Sequence, residues 1–317
     1  MNSKKIYTFV LLGSSLICIL AFFLLTNKQE KKNVSQVSFF SRESAEEYNR
    51  TSLKQGIEQG AKDFGAVLTV QFLNNTGSAS DMVNLLEKEI ENKTDAILVE
   101  PVDEEVVLEK LKKCGKEIPV VLVNAGFTDS DDFAKITCDH KKLGKDMASE
   151  IMKENQENRK VLLVTEPLVF QDDKEACEGI EEGLGGACEI EYLVLSGDEE
   201  QRQDQITQRL KKGDIHAAVA ISAGSRNLEL FGRLKRRDQI PREVLVYGIG
   251  KNNQIIADME DGYIQAVGVI NSYSVGYLSV QQAIQGRGQE KEVMASIINK
   301  DEIYTPENQR MLFTLVQ

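Results

Sequence analysis

Residues 85–113 read LLEKEIENKTDAILVEPVDEEVVLEKLKK and hold one short apolar run between two charged segments. The run AILVE (96–100) starts with four consecutive apolar residues, which is typical of a strand buried on both faces of a parallel sheet. The flanking segments 81–91 and 104–114 have a helical pattern, and Asp81 is the predicted N-cap of the first. A helix, a buried strand and a second helix in this order predict an α/β fold.

The same alternation of strands and helices extends outward from this stretch, from about Gln36 to the C-terminus. It predicts a doubly wound α/β fold with right-handed crossovers, whose ligands gather at the carboxyl ends of the strands. The predicted strands are 37–40, 67–73, 96–100, 119–124, 135–138, 161–165, 190–196, 217–222, 244–249 and 265–270. The predicted helices are 44–63, 81–91, 104–114, 141–154, 173–184, 200–212, 225–237, 252–260 and 273–285.

The N-terminal segment is uncharged over 21 residues, from Ile6 to Thr26. A helix of that length is about 30 Å long, enough to cross the hydrocarbon core of a membrane. The run ends in Phe-Phe-Leu-Leu (22–25) without the small residues of a cleavage site. We therefore expect one uncleaved transmembrane helix over residues 6–26, and residues 1–35 as membrane anchor and polar tether.

Composition excludes some classes of partner. The 317 residues carry a formal net charge of −12, and an acidic surface repels nucleic acid. Five cysteines show neither a CxxC motif nor metal-ligand spacing, so we expect no metal site. A disulfide between Cys177 and Cys188 remains open at this stage.

The sequence also lacks the motifs of the common enzyme classes. It contains no GxSxG, no HExxH and no P-loop, and the two histidines, His140 and His216, are far apart in the chain. GIGKNN (248–253) follows a predicted strand but lacks the third glycine of a dinucleotide-binding loop. We expect no catalytic residues and no cofactor.

Six segments of the soluble part resemble the ribose-type periplasmic binding proteins, which share their fold with the ligand domains of the lactose-repressor family. The most distinctive of them contains the Pro101-Val102-Asp103 stretch that follows a buried strand. The six segments, in chain order, are SLKQGIEQGAKDFG (52–65), LLEKEIENKTDAILVEPVDEEVVLEKLKK (85–113), IPVVLVN (118–124), ITCDHKKLGKDMA (136–148), YGIGKNNQIIADMEDGYIQAVGVINSYSVGYLSV (247–280) and IYTPENQ (303–309).

This resemblance implies two doubly wound parallel-sheet lobes joined by a hinge in which the chain crosses three times, here preceded by the transmembrane helix. Lobe one would comprise residues 36–137 and 270–289, and lobe two residues 138–269 and 290–317. The lobes of the family close on a small ligand.

The resemblance also places polar side chains in the cleft between the lobes. Three family positions differ here, since Asn124-Ala125, Asn49-Arg50 and Gly250 stand where the ribose binders have Asp-Arg, an aromatic pair and Asp. The ligand-binding residues that the resemblance implies are Arg42, Glu43, Tyr48, Arg50, Asn124, Asp139, Phe170, Lys174, Ser222, Gly250 and Asn271.

Several of these residues have a structural alternative. Asp139 and Asn271 each precede a predicted helix and would cap it, and Asn124 would close the end of its strand. Arg42 and Glu43 would form a solvated pair, and Lys174 would lie on a charged helix face.

Together these observations predict an extracytoplasmic solute-binding receptor, held at the cell membrane by a single span. Its ligand is a small polar molecule, with a sugar as first candidate, and its partner is an ABC permease or a sensor histidine kinase. The alternatives are a ligand-responsive transcription regulator of the lactose-repressor type, a receptor for a non-sugar signal, and a hydrolase on an α/β fold.

Overall fold

The chain separates into two compact units, Met1–Ser35 and Gln36–Gln317. The predicted membrane span at residues 6–26 lies outside the residues that the structure describes. Among the helices that it does describe, none combines the length and apolar character needed to cross a membrane. The structure is a computed structural model, which describes residues 34–49, 51–73, 78–125, 133–154, 159–221, 225–286 and 291–313.

The described residues alternate between strands and helices along the chain. The strands are β1 (Ser35–Ser41), β2 (Ala66–Phe72), β3 (Ala96–Val99), β4 (Val120–Val123), β5 (Ala134–Thr137), β6 (Arg159–Thr165), β7 (Cys188–Val194), β8 (Ala217–Ala220), β9 (Leu245–Ile249), β10 (Ala266–Ile270), β11 (Lys291–Glu292) and β12 (Ala295–Asn299). The helices are α1 (Ala45–Tyr48), α2 (Ser52–Phe64), α3 (Ala79–Glu91), α4 (Glu105–Cys114), α5 (His140–Glu154), α6 (Gln171–Leu184), α7 (Glu199–Leu210), α8 (Arg226–Arg236), α9 (Asn253–Glu260), α10 (Ser272–Gln285) and α11 (Pro306–Leu312).

The strands form two six-stranded sheets, which define two lobes. The sheet of lobe one has the order β11-β5-β4-β3-β1-β2, and that of lobe two has the order β12-β10-β9-β8-β6-β7. The resolved pairings within both sheets are parallel except for β10 with β12, which is antiparallel. Two α/β lobes with mainly parallel sheets confirm the predicted fold class.

Strand β3 is the centre of the lobe-one sheet. It pairs with β1 on one side and β4 on the other, and all four of its side chains are buried. The predicted helix–strand–helix order of residues 85–113 is confirmed by α3, β3 and α4. The predicted cap is wrong, however, because α3 starts earlier and the Ser78 hydroxyl accepts the backbone N–H of Asp81.

Other departures from the predicted elements have local causes. The predicted helix 44–63 is two helices, because Thr51 is extended (φ −89°, ψ 150°) and its hydroxyl caps α2. Strands β11 and β12 and helix α11 are further elements that the sequence pattern did not predict, and β11 has only two residues. Strand β11 lies in the sheet of lobe one, although the sequence assigned residues 290–317 to lobe two.

The chain passes between the two sheets three times. The passages lie between β5 and α5, between β10 and α10, and between β11 and β12. Helix α5 packs against α6 in lobe two, whereas α10 packs against α2 in lobe one. Cys177 and Cys188, whose pairing the sequence left open, are both buried and form no disulfide.

Helices α2 and α10 approach so closely that their backbones are almost in contact. A Cβ atom placed on Gly56 would lie 2.0 Å from the carbonyl oxygen of Tyr273, and one on Gly276 would lie 2.4 Å from that of Leu53. The absence of side chains at these positions lets α10, which arrives from lobe two, dock on lobe one.

We expect Gly56→Ala to lower the free energy of unfolding by about 1–3 kcal/mol, because the new methyl group pushes α2 and α10 apart. Denaturant unfolding measures the change. Lys62→Ala, on the exposed side of the same helix, is the control and should have little effect. Equal stability of Gly56→Ala and the wild type would contradict the close packing of this helix pair.

Candidate functional site

A cleft of about 670 Å³ lies between the two lobes. Lobe one contributes residues that follow its strands, among them Arg42 after β1, Glu100 after β3 and Asn124 after β4. Lobe two contributes the first turn of α6 and the loop after β9. The cleft therefore lies at the carboxyl ends of the parallel strands, where open α/β sheets bind ligands.

Arg42 is the best-connected side chain in this cleft. Its Nη1 and Nη2 atoms reach Oδ1 and Oδ2 of Asp172 at 2.8 Å and 2.7 Å, a bidentate ion pair between the lobes. The guanidinium also lies 4.8 Å from the ring centre of Phe170. Burial alone would lower the pKa of Arg42, but Asp172, Asp173 and Glu100 raise it, so the charge is retained.

Glu100 holds the neighbouring parts of lobe one in place. Its carboxylate accepts hydrogen bonds from the backbone N–H of Arg42 at 3.1 Å and from the Asn124 side-chain amide at 3.0 Å. Burial raises the pKa of Glu100, whereas Arg42 and Asn124 lower it. Because Glu100 accepts, Asn124 must turn its NH₂ group toward it, and the buried Oδ1 of Asn124 has no partner among the described residues.

Asp173 and His140 complete this end of the cleft. The Asp173 carboxylate lies 3.8 Å from Nη1 of Arg42 and its side chain is 15% exposed. Burial and the adjacent Asp172 raise the pKa of Asp173 to about 7, although Arg42 opposes the shift. His140 is buried, which lowers its pKa and keeps the imidazole neutral near pH 7, and its Nε2 has no partner in the described part of the chain.

A segment of lobe two, Val169–Lys174, docks on lobe one; we call it the interlobe clasp. Val169 accepts the backbone N–H of Asp103 at 2.8 Å, and Lys174 pairs with the Asp103 carboxylate at 2.5 Å. Val169 and Phe170 pack against the hydrophobic core of lobe one. Together with the Arg42–Asp172 pair, these contacts join the lobes on one side of the cleft.

The structure brings five of the predicted site residues to this region. Arg42, Glu43, Asn124 and Gly250 line the cleft, and Phe170 lies beside Arg42. The predicted alternative of a solvated Arg42–Glu43 pair is wrong, because both side chains are buried.

The other predicted residues lie elsewhere or have another contact. Tyr48 is in the core, packed against Phe39 and Phe72. Asp139 accepts the backbone N–H of Lys142 at 2.7 Å, and Asn271 accepts that of Ser274 at 3.1 Å, as their capping alternatives predict. Lys174 belongs to the interlobe clasp. Arg50 and Ser222 lie outside the described residues.

Glu100 and His140 line the cleft but are not among the predicted site residues, and Asp172 and Asp173 lie between the predicted residues Phe170 and Lys174 without being singled out. Glu100 carried a usable signal, since it directly follows a buried strand. The roles of Asp172 and Asp173 could not be inferred from residue type, because acidic residues are common in the first turn of a helix. His140 is the first residue of α5 and only 4% exposed, which the sequence pattern does not predict.

Comparison with known proteins identifies the class to which this two-lobed fold and its cleft belong. Residues 37–290 match the periplasmic binding protein domain. The chain belongs to this family, whose members are binding proteins rather than enzymes. No curated protein sequence matches the chain.

Solved structures show the same fold at low sequence identity. A carbohydrate transporter solute-binding protein from Agrobacterium radiobacter, in complex with D-arabinose, is 15% identical, with a TM-score of 0.78 over 89% of this chain and 100% of that one. GanP, a glucose-galactose binding protein from Geobacillus stearothermophilus, is 18% identical, with a TM-score of 0.73 over 86% of this chain and 100% of that one. The XylFII–LytSN complex contains a chain that is 20% identical to this one, with a TM-score of 0.73. The match covers 85% of this chain and 99% of that one.

The raised pKa of Asp173 predicts a pH-dependent stability. A carboxyl whose pKa is higher in the folded state binds its proton more tightly there, so its contribution is lost as pH rises from its ordinary value near 4 to about 7. Asp173→Asn should remove this loss, and the variant should gain stability relative to wild type between about pH 5 and pH 8. Denaturant unfolding at both pH values tests this, with Glu117→Gln as the exposed control.

Proposed function

We propose that the protein is an extracytoplasmic receptor that captures a small polar ligand, with a sugar as first candidate, in the cleft between its lobes. The observation that carries the proposal is the cleft itself. Its volume of about 670 Å³ is within the range of small-molecule sites, and hydrogen-bonding groups from both lobes face it. Solute-binding proteins of the same fold were crystallised with D-arabinose, tagatose and D-fucose.

The ligand contacts that we propose come from both lobes. On lobe one, Asn124 offers a side-chain carbonyl oxygen that has no partner among the described residues, and Glu43 lines the same wall. On lobe two, Gly250 brings the backbone of the loop after β9 to the cleft, where its φ of 137° favours glycine. Arg42 acts by holding Asp172 and Phe170 in place. Asn271, Asp139 and Lys174 support the cleft through their caps and the interlobe clasp.

We further propose that the three passages of the chain between the sheets form a hinge. Two lobes connected by a few short segments can rotate without disturbing either core. The interlobe clasp then favours the closed arrangement, and ligand contacts from both walls add to it.

Asn124→Ala should weaken binding of the native ligand by about 1–3 kcal/mol, because the buried Oδ1 acceptor is lost. A thermal-shift screen against D-arabinose, D-galactose, D-tagatose and D-fucose identifies the ligand, since a binder raises the melting temperature with occupancy. Titration of wild type and variant then measures the loss. Glu117→Gln, at an exposed residue outside the cleft lining, serves as the control. Full affinity of Asn124→Ala would show that this wall does not contact the ligand.

For the partner, we propose a sensor histidine kinase in preference to an ABC permease, with the chain anchored through residues 6–26. A receptor held by a membrane helix stays beside its membrane partners, whereas transport receptors are commonly free or lipid-tethered. A chain of the same fold was crystallised in the XylFII–LytSN complex, which supports an assembly with a second protein. A transcription regulator remains the alternative, as a putative LacI regulator from Bacteroides fragilis shares the fold at 12% identity.

Deletion of the protein separates these roles. A sensor partner predicts that ligand-dependent kinase output disappears while ligand uptake continues. Uptake lost with kinase output unchanged would assign the protein to transport instead. Retention of the purified protein on DNA at low salt would favour the regulator.

A further inference from the structure

One end of the cleft contains more buried negative charge than its cation can balance. Three carboxylates, those of Asp172, Asp173 and Glu100, lie 2.7, 3.8 and 3.9 Å from the Arg42 guanidinium. Glu100 and Asp172 are each 3% exposed, so water screens them poorly. Removing a carboxylate from water without a partner costs several kcal/mol, and one guanidinium cannot neutralise three.

The contacts of the three carboxylates show which of them keeps an unbalanced negative charge. Asp172 takes both terminal nitrogens in its bidentate pair. Glu100 is satisfied by the Arg42 backbone and the Asn124 amide. Among the described residues, the Asp173 carboxylate has the longer contact of 3.8 Å with Arg42 as its ion pair, and it lines the cleft. The uncompensated charge therefore faces the space that a ligand would occupy.

Two further groups on the same walls lack partners within the described part of the chain. Asn124 Oδ1 is a buried acceptor, because its NH₂ group is committed to Glu100. His140 is 4% exposed, lines the cleft and has an unpartnered Nε2, and its neutral imidazole accepts at one ring nitrogen. Both groups can accept hydrogen bonds from donors on the ligand, and the Asp173 carboxylate favours a positively charged group.

At this end of the cleft the basic residue is Arg42, whose two terminal nitrogens are paired with Asp172, so a ligand carboxylate or phosphate there would have to displace Asp172. Two other basic residues line the cleft: Arg226 pairs with Glu166 at 3.3 Å, and Lys251 donates to the backbone carbonyl of Met311 at 2.6 Å. Stacking of a sugar face on Phe170 is also limited at this end, since the Arg42 guanidinium lies over its ring, although Phe313 lines the cleft as well. The chemistry of this wall favours a protonated amine.

We propose that this end of the cleft binds a cationic amino group, and that the ligand is a hydroxylated small molecule with a primary amine, of which an amino sugar is the simplest example. This inference rests on the proposed function and narrows it. The ammonium donates to Asp173, Asn124 Oδ1 and His140, and the hydroxyl groups bind elsewhere along the cleft.

Calorimetric titration of the full chain at about pH 7 tests the inference with matched ligands. D-glucosamine, D-galactosamine and D-mannosamine are each compared with the parent hexose, the N-acetyl form and, for the gluco and galacto series, the uronate. At least one amine should bind about tenfold or more tightly than its neutral relatives, and the uronates should not bind. Asp173→Asn should abolish the preference for the amine, whereas the exposed control Glu117→Gln should retain it.

The outcomes separate this inference from the function on which it rests. A neutral hexose that binds as tightly as its amine, or a uronate that binds best, overturns the amino-group site and leaves a sugar receptor intact. An amine preference that survives in Asp173→Asn also overturns it, because a group other than Asp173 would then bind the ammonium. Failure of every member of the panel to bind overturns the inference and counts against a sugar ligand altogether.

Discussion

The bidentate pair between Arg42 and Asp172 is the contact on which the arrangement of the cleft depends. It links residues 130 positions apart and joins the end of β1 in one lobe to the first turn of α6 in the other. The Phe170 ring lies against the guanidinium, and the Glu100 carboxylate accepts a hydrogen bond from the backbone N–H of Arg42. A buried pair of this kind contributes little net stability, but removal of either partner leaves an uncompensated charge. Its main effect is to fix the relative position of two walls.

Much of the fold could be predicted from the sequence, because buried parallel strands are nearly continuous apolar runs. The run at residues 96–99 and its two amphipathic neighbours form a strand and two helices close to the predicted bounds. Prediction failed where an element depends on a long-range contact or on the conformation of one residue. Strand β12 is recognisable only through its antiparallel pairing with β10, a long-range contact, and the break before α2 depends on a single extended residue, Thr51.

The candidate site was less predictable, for a physical reason. Arg42 and Asn124 follow strands, and the carboxyl ends of parallel strands meet at one edge of a sheet, so their positions could be inferred. Asp172 lies between the predicted residues Phe170 and Lys174, but its pairing with Arg42 depends on the packing of two lobes, which no local pattern predicts. Asp139 and Asn271 show the opposite difficulty, since a polar residue before a helix has the same sequence pattern whether it caps the helix or contacts a ligand.

The last passage of the chain has a consequence for how the protein is made. Strand β11 completes one edge of the lobe-one sheet, and β12, two residues later, completes one edge of the lobe-two sheet. During synthesis, therefore, neither sheet can acquire its edge strand until residues 291–299 have left the ribosome. Until then both sheets have an edge with unpaired backbone hydrogen-bonding groups.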